Sequence, residues 1–157
     1  MDAKGLVERA AQKLFHRDAN FPEGVNERSI THRLAIYIEE ELRSISDGFP
    51  HLSVDCEYNR RFGEGETKKL IGMYGNGEGG AMDTDATTVY PDIVVHRRGD
   101  DDDNRIIIEV KVDGRSNGGK RDRDRQKLTL YRSQLKYQHA LFVLLDMAKK
   151  DCRVEVL

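Results

Sequence analysis

Three charged residues interrupt two otherwise apolar runs of this chain: Asp92 in YPDIVVH, and Glu109 and Lys111 in IIIEVKV. A charge taken out of water is expensive unless it is paired or holds a metal. These positions therefore point either to half-exposed strands or to chemistry. The two runs flank the turn signal GDDDDN and read as the arms of a hairpin. Asp92 and Glu109 are symmetric about the point between Asp100 and Asp101. A turn centred there sets them directly opposite each other, with Cβ atoms roughly 4.5–5.5 Å apart. Lys111 projects from the same face; Ile106, Ile108, Val110 and Val112 project from the other and would pack against helices. Two facing carboxylates repel. A hard, oxygen-seeking divalent cation such as Mg²⁺ between them reverses the sign. The plainer alternative is a structural ion pair of Asp92 with Lys111 or Arg105 on a half-exposed sheet.

Something must hold these strands. Residues 3 to 16 carry Leu6, Val7, Ala10, Ala11, Leu14 and Phe15 at helical spacing, which predicts an amphipathic helix. A second helix is predicted from an N-cap at Asn26 to about Leu42, with Ile30, Leu34, Ile38 and Leu42 on one stripe. LSVDCEYNR alternates, with Val54, Cys56 and Tyr58 on one face and Asp55, Glu57 and Asn59 on the other, as in a strand with one wet side. Residues 63 to 80 hold seven of the fourteen glycines, in a long connection that has room for a short hairpin. GRSNGGKRDRD reads as a flexible basic connection. Residues 124 to 137 read as a helix with Leu128, Tyr131, Leu135 and Leu130 inward, HALFVLLDM as a buried strand, and RVEVL as one more. The order helix, helix, three strands, helix, strand predicts an α/β sandwich with a mixed sheet.

At 157 residues one domain is expected. Charged residues make up 34% and the net charge is only −2, so any affinity for a polyanion must be local. The stretch from Gly114 to Lys127 is the local candidate, with six Lys/Arg against two Asp; a solvated basic loop is the alternative. Cys56 and Cys152 stand alone, without CxxC or Cys/His spacing, so they are expected to be reduced and buried and not to hold zinc or a disulfide. With no apolar run long enough for a membrane and no secretory signal at the start, no membrane partner and a cytoplasmic location are expected.

Pro91-Asp92, sixteen intervening residues and Glu109-Val110-Lys111 resemble the PD-(D/E)xK signature of the restriction-endonuclease-like phosphodiesterases. The predicted element order is similar to that family's core of helix, three strands, helix and strand. The resemblance covers about Asn26 to Met147 and leaves residues 1 to 20 as an N-terminal helical addition. It implies a three-layer sandwich with a mixed central sheet of four to five strands flanked by helices. It also implies a nuclease, with DNA the expected substrate. Asp92, Glu109 and the carbonyl of Val110 would hold Mg²⁺, with Mn²⁺ able to substitute, and Lys111 would serve the attacking water. Many members add a glutamate from the helix before the sheet. Glu27 matches best, although an acid in a first helical turn is also favoured by the helix dipole alone. Glu57 would be a second-shell or second-metal carboxylate, or simply part of a wet sheet face. Gln126 and Lys127 are the polar candidates from the following helix. Lys120, Arg121, Arg123, Arg125 and Lys127, with Arg115, would position phosphates without reading bases; His32 and Arg33 would touch DNA or be solvated. The pattern departs from the RecB-like QhxxY, because Gln134 and Tyr137 are one residue too close. No recognition module is visible, so specificity would come from the glycine-rich loop, a homodimer or a partner. The rival readings are an inactive nuclease-fold protein acting as a nucleic-acid-binding or assembly module, and a structural α/β domain with surface ion pairs.

Overall fold

The computed structural model describes residues 1–21, 24–45, 49–59, 69–70, 87–88, 90–112 and 118–157. The first helix, α1, spans Ala3–Arg17 and starts where the Asp2 carboxylate accepts from the Gly5 amide at 2.9 Å. The second, α2, spans Glu27–Ser44 and is capped by Asn26, which accepts from the Ser29 amide at 2.8 Å. The two predicted stripes are both buried in one cluster with Ile106, Ile108, Val110 and Val112. α1 is thus integral to the core. Charge locks the helices together: Glu41 takes Arg9 and Lys13 at 2.7 Å each, and Arg33 and the Tyr37 hydroxyl both bind Asp18.

Five strands form one open mixed sheet: β1 (Ser53–Cys56), β4 (Ile93–His96), β5 (Asn104–Val112), β6 (His139–Asp146) and β7 (Asp151–Val156), in the order β1-β4-β5-β6-β7. Between β1 and β4 in the chain, β2 (Lys69–Leu70) and β3 (Thr87–Thr88) pair with each other as a short antiparallel ribbon. The rest of the glycine-rich stretch 63–80, and Arg115, lie outside the described residues. β5 runs antiparallel to β4 and parallel to β6, and β7 returns antiparallel to β6. The third helix, α3 (Gly118–Gln134), covers the other face of the sheet, where Leu128, Tyr131 and Leu135 pack on Val94, Ile107, Ala140 and Phe142. The result is an α/β fold of three layers, α1 and α2 on one side and α3 on the other. No helix of the described residues is long and apolar enough to cross a membrane.

The hairpin register follows the sequence arithmetic. Ile93 pairs with Ile108 and Val94 with Ile107. A bulge between Val95 and His96 then absorbs one residue before the turn, in which Asp101–Asp103 form one 3₁₀ turn. Three expectations fail. α3 begins at Gly118, so the second half of the presumed flexible connection is helical; Lys and Arg are good helix formers, and the alternating acids pair along the helix, as Arg125 does with Asp122. β1 stops at Cys56 because Glu57 takes a left-handed φ of 51°, which breaks the alternation: Val54 packs toward α1 and α2 but Tyr58 toward α3. Cys56 is consequently exposed, and Cys152, on the outer strand β7, is only half-buried.

The edge strand β1 is tied to its neighbour by Asp55, which binds buried His96 at 2.9 Å and Arg98 through both carboxylate oxygens. The Arg98 hydrogen bonds outweigh burial and hold the Asp55 carboxyl below its usual range. A depressed carboxylate stabilises the fold above its unfolded-state pKa of about 4, and that contribution is lost as pH falls through the lower folded value. Asp55→Asn is therefore expected to unfold at lower urea than the wild type at pH 7. The gap should close as pH falls below about 4; a gap that persists at pH 2 would mean that the loss is steric.

Candidate functional site

The antiparallel ladder of β4 and β5 ends at Ile93 and Ile108, and β5 runs on for four residues without β4 beside it. Amides on that open side need acceptors. Two acids supply them. Asp92, one residue before β4, accepts from the Val110 amide at 2.8 Å, and Glu27, the first residue of α2, accepts from the Val112 amide at 3.1 Å. Continuing the register by one residue sets Asp92 opposite Glu109, as the sequence arithmetic expects. Glu109 and Lys111 are 3% and 6% exposed, so these are buried charges and not a wet sheet face.

Lys111 is the hub. Its Nζ lies 3.4 Å from Glu27 Oε1, 3.9 Å from Glu109 Oε1 and 3.4 Å from Asp124 Oδ2, and donates to the Val110 carbonyl at 3.1 Å. Glu109 is held by another cation: Lys127 Nζ donates to both its oxygens, at 2.8 and 3.0 Å, and lies over the Tyr131 ring. Asp124, Lys127, Leu128 and Tyr131 are one stripe of α3, spaced by three and four residues. Lys127 was a sequence candidate; Asp124 was missed. Tracing the stripe back from the predicted inward Tyr131 and Leu128 would have found it.

Four carboxylates, of Glu27, Asp92, Glu109 and Asp124, thus meet two ammonium groups, of Lys111 and Lys127. Burial, and next the charge of Asp92, push Glu109 above the usual carboxylate range. Burial raises Asp92 too, against the Val110 amide and the charge of Lys111. Burial alone would lower Lys111, but Glu109, Asp92, Asp124 and Glu27 more than reverse this and keep it charged. Two buried polar atoms here, Asp124 Oδ2 and the Tyr131 hydroxyl, have no hydrogen-bond partner. Among the described residues no three acidic, His or Cys side chains converge as a closed metal cage. The pair of Asp92 and Glu109 at the end of the cleft nonetheless fits Mg²⁺, which takes one or two carboxylates and keeps waters and substrate oxygens as its other ligands.

A cleft of about 360 Å³ leads to Asp92, walled by Glu27, Arg28, Thr31 and His32 of α2 and by Cys56 and Glu57 at the end of β1. Glu57, in the wall of this cleft, pairs with Arg28 at 3.0 Å. Arg33 is committed to Asp18 and Tyr37, and Arg105 to Asp103 and Gln138, not to Asp92. Of the basic group, Arg125 binds Glu155 at 2.9 Å and covers the Phe142 ring, and Lys127 faces Glu109. Arg121 is half-buried and Arg123 exposed in the first turns of α3, where Lys120 also lies; Gln126 is half-buried on the same helix.

No protein family, curated protein or solved structure matches this chain.

Because half-buried Asp92 lies beside the like charge of Glu109, Asp92→Asn removes a repulsion and keeps an oxygen for the Val110 amide. Without divalent cations this variant is expected to melt about 2–4 °C above the wild type, equivalent to roughly 1 kcal/mol in a chain of this size. A melt several degrees lower would make the Asp92 charge a structural partner of Lys111.

Proposed function

We propose that this chain is a divalent-cation-dependent phosphodiesterase of the PD-(D/E)xK type, acting on DNA and built on a restriction-endonuclease-like sandwich. The single observation that carries this reading is the placement of half-buried Asp92, at the end of the cleft, beside buried Glu109 and Lys111 on one face of β5. Nothing in a structural sheet requires two carboxylates and a lysine inside a hydrophobic layer. A binding site for a cation and a phosphate does.

In this reading Asp92 and Glu109 would hold Mg²⁺, or Mn²⁺ in its place, with the Val110 carbonyl available once Lys111 turns from it. The cation would supply charge neutralisation at the phosphate and a bound water of lowered pKa. Lys111 reaches the same point and would orient the water and steady charge developing on the phosphate. Glu27 is better read as a positioning residue, since it grips both Lys111 and the Val112 amide. The α2 cleft would give a strand access to Asp92, and Arg121 and Arg123 on α3 would turn from their interactions within the fold to neighbouring phosphates.

One observation favours the inactive module instead. Lys127 already places an ammonium on both oxygens of Glu109, the charge a metal would bring.

Calorimetry with Mn²⁺, beside a cleavage panel of linear, nicked, single-stranded and four-way DNA with Mg²⁺ and Mn²⁺, separates the readings. The nuclease reading expects Mn²⁺ binding that Asp92→Ala abolishes. Lys111→Ala should bind Mn²⁺ at least as well as the wild type, since a positive neighbour opposes a cation, yet lose cleavage by about 10²–10³-fold. Mn²⁺ binding unchanged in Asp92→Ala would remove the site. Binding without cleavage of any substrate would favour the module.

A further inference from the structure

We infer that Lys127 is a resident counter-ion of Glu109, which a divalent cation must displace and which then moves to Asp124. This rests on the metal reading of Asp92 and Glu109 above, and names how occupancy of that site is controlled. The ammonium of Lys127 engages Glu109 Oε1 at 2.8 Å and Oε2 at 3.0 Å, which leaves neither oxygen unshared. Glu109 is almost wholly enclosed, so cation and ammonium cannot be separated there by solvent. In that setting like charges repel strongly, so a cation arriving at the carboxylate pushes the ammonium away from it.

The structure also holds a vacant acceptor for the displaced lysine. Asp124 lies one helical turn before Lys127, at a spacing that makes the two neighbours on the helix surface. Its Oδ2 is buried with no hydrogen-bond partner, although Lys111 Nζ approaches to 3.4 Å. Tyr131, one turn after Lys127, supports the lysine with its ring at 5.6 Å from Nζ. A lysine can swing from the Tyr131 side of this stripe to the Asp124 side by side-chain rotation alone, trading the ring for a carboxylate. In the displaced state Asp124 Oδ2 gains the hydrogen bond that it lacks, and Glu109 is released toward Asp92 and the cation.

If the site is closed by Lys127 in nine of ten molecules, its apparent Kd is raised about tenfold. The test is Mn²⁺ calorimetry on the full chain, with the fold of each variant checked by its melt. Lys127→Met and Lys127→Gln are expected to bind Mn²⁺ on the order of tenfold more tightly than the wild type; the glutamine retains a donor for Glu109 and serves if the methionine variant does not fold. Lys127→Arg, which keeps the charge, should show no gain. Asp124→Asn should weaken Mn²⁺ binding in the wild-type background and far less in Lys127→Met, because the acceptor matters only when there is a lysine to receive. Unchanged or weaker binding in both neutral variants, with the wild type binding, overturns the inference and leaves the metal reading intact. Binding by the neutral variants alone upholds the inference and turns the wild type into the inactive module. If no form binds Mn²⁺, both fall.

Discussion

The pairing of β4 with β5 is the constraint on which the rest of this molecule depends. β5 is buried on both faces, between α1 and α2 on one side and α3 on the other. Its side chains alternate between the two layers, so a slip of one residue would turn Glu109 and Lys111 into the α1 and α2 core and expel Ile108 and Val110 from it. The cost of burying two unpaired charges among leucines and isoleucines makes the observed register far the better one. The bulge at His96 lets the hairpin meet this register while still closing through its acidic turn. Packing and the cost of buried charge thus impose one pairing.

The end of β4 creates the chemical opportunity. Where that strand stops short, β5 presents amides without ladder partners, and carboxylates from two separate elements, Asp92 and Glu27, satisfy them. Glu27 then pairs with Lys111, and the charge of Asp92 helps to keep that lysine protonated. A group that completes a sheet edge is held rigidly by its hydrogen bond, and rigid acids beside a lysine are suited to a reaction centre. The arrangement costs stability: like charges face each other in a dry layer, and the positive charge available does not balance them. Proteins commonly accept that cost at functional sites.

Much of the basic charge that sequence assigns to a ligand is spent inside the fold. Arg125 is held between Glu155, Asp122 and the Phe142 ring, and Arg33 between Asp18 and Tyr37. Lys127 works within the centre itself. Arg121 and Arg123 also take part in interactions within the fold, so the basic surface is narrower than the run from Gly114 to Lys127 suggests.

The amino-acid order by itself determined whatever depends on local periodicity. The stripes of α1 and α2, the Asn26 cap, the opposition of Asp92 and Glu109 and the inward set Leu128, Tyr131 and Leu135 are all readable from spacing, because the 3.6-residue and two-residue repeats fix which side chains share a face. The turn arithmetic worked because a hairpin leaves its register little freedom. Other features were decided only in three dimensions. The left-handed Glu57 that ends β1, the exposure of Cys56, the helical start at Gly118 and the meeting of Lys127 and Asp124 with Glu109 and Lys111 depend on partners far away in the chain. A long charged side chain has many possible partners and little local preference among them. Which one it takes is set by the packing of α3 on the sheet, and packing is a property of the whole fold.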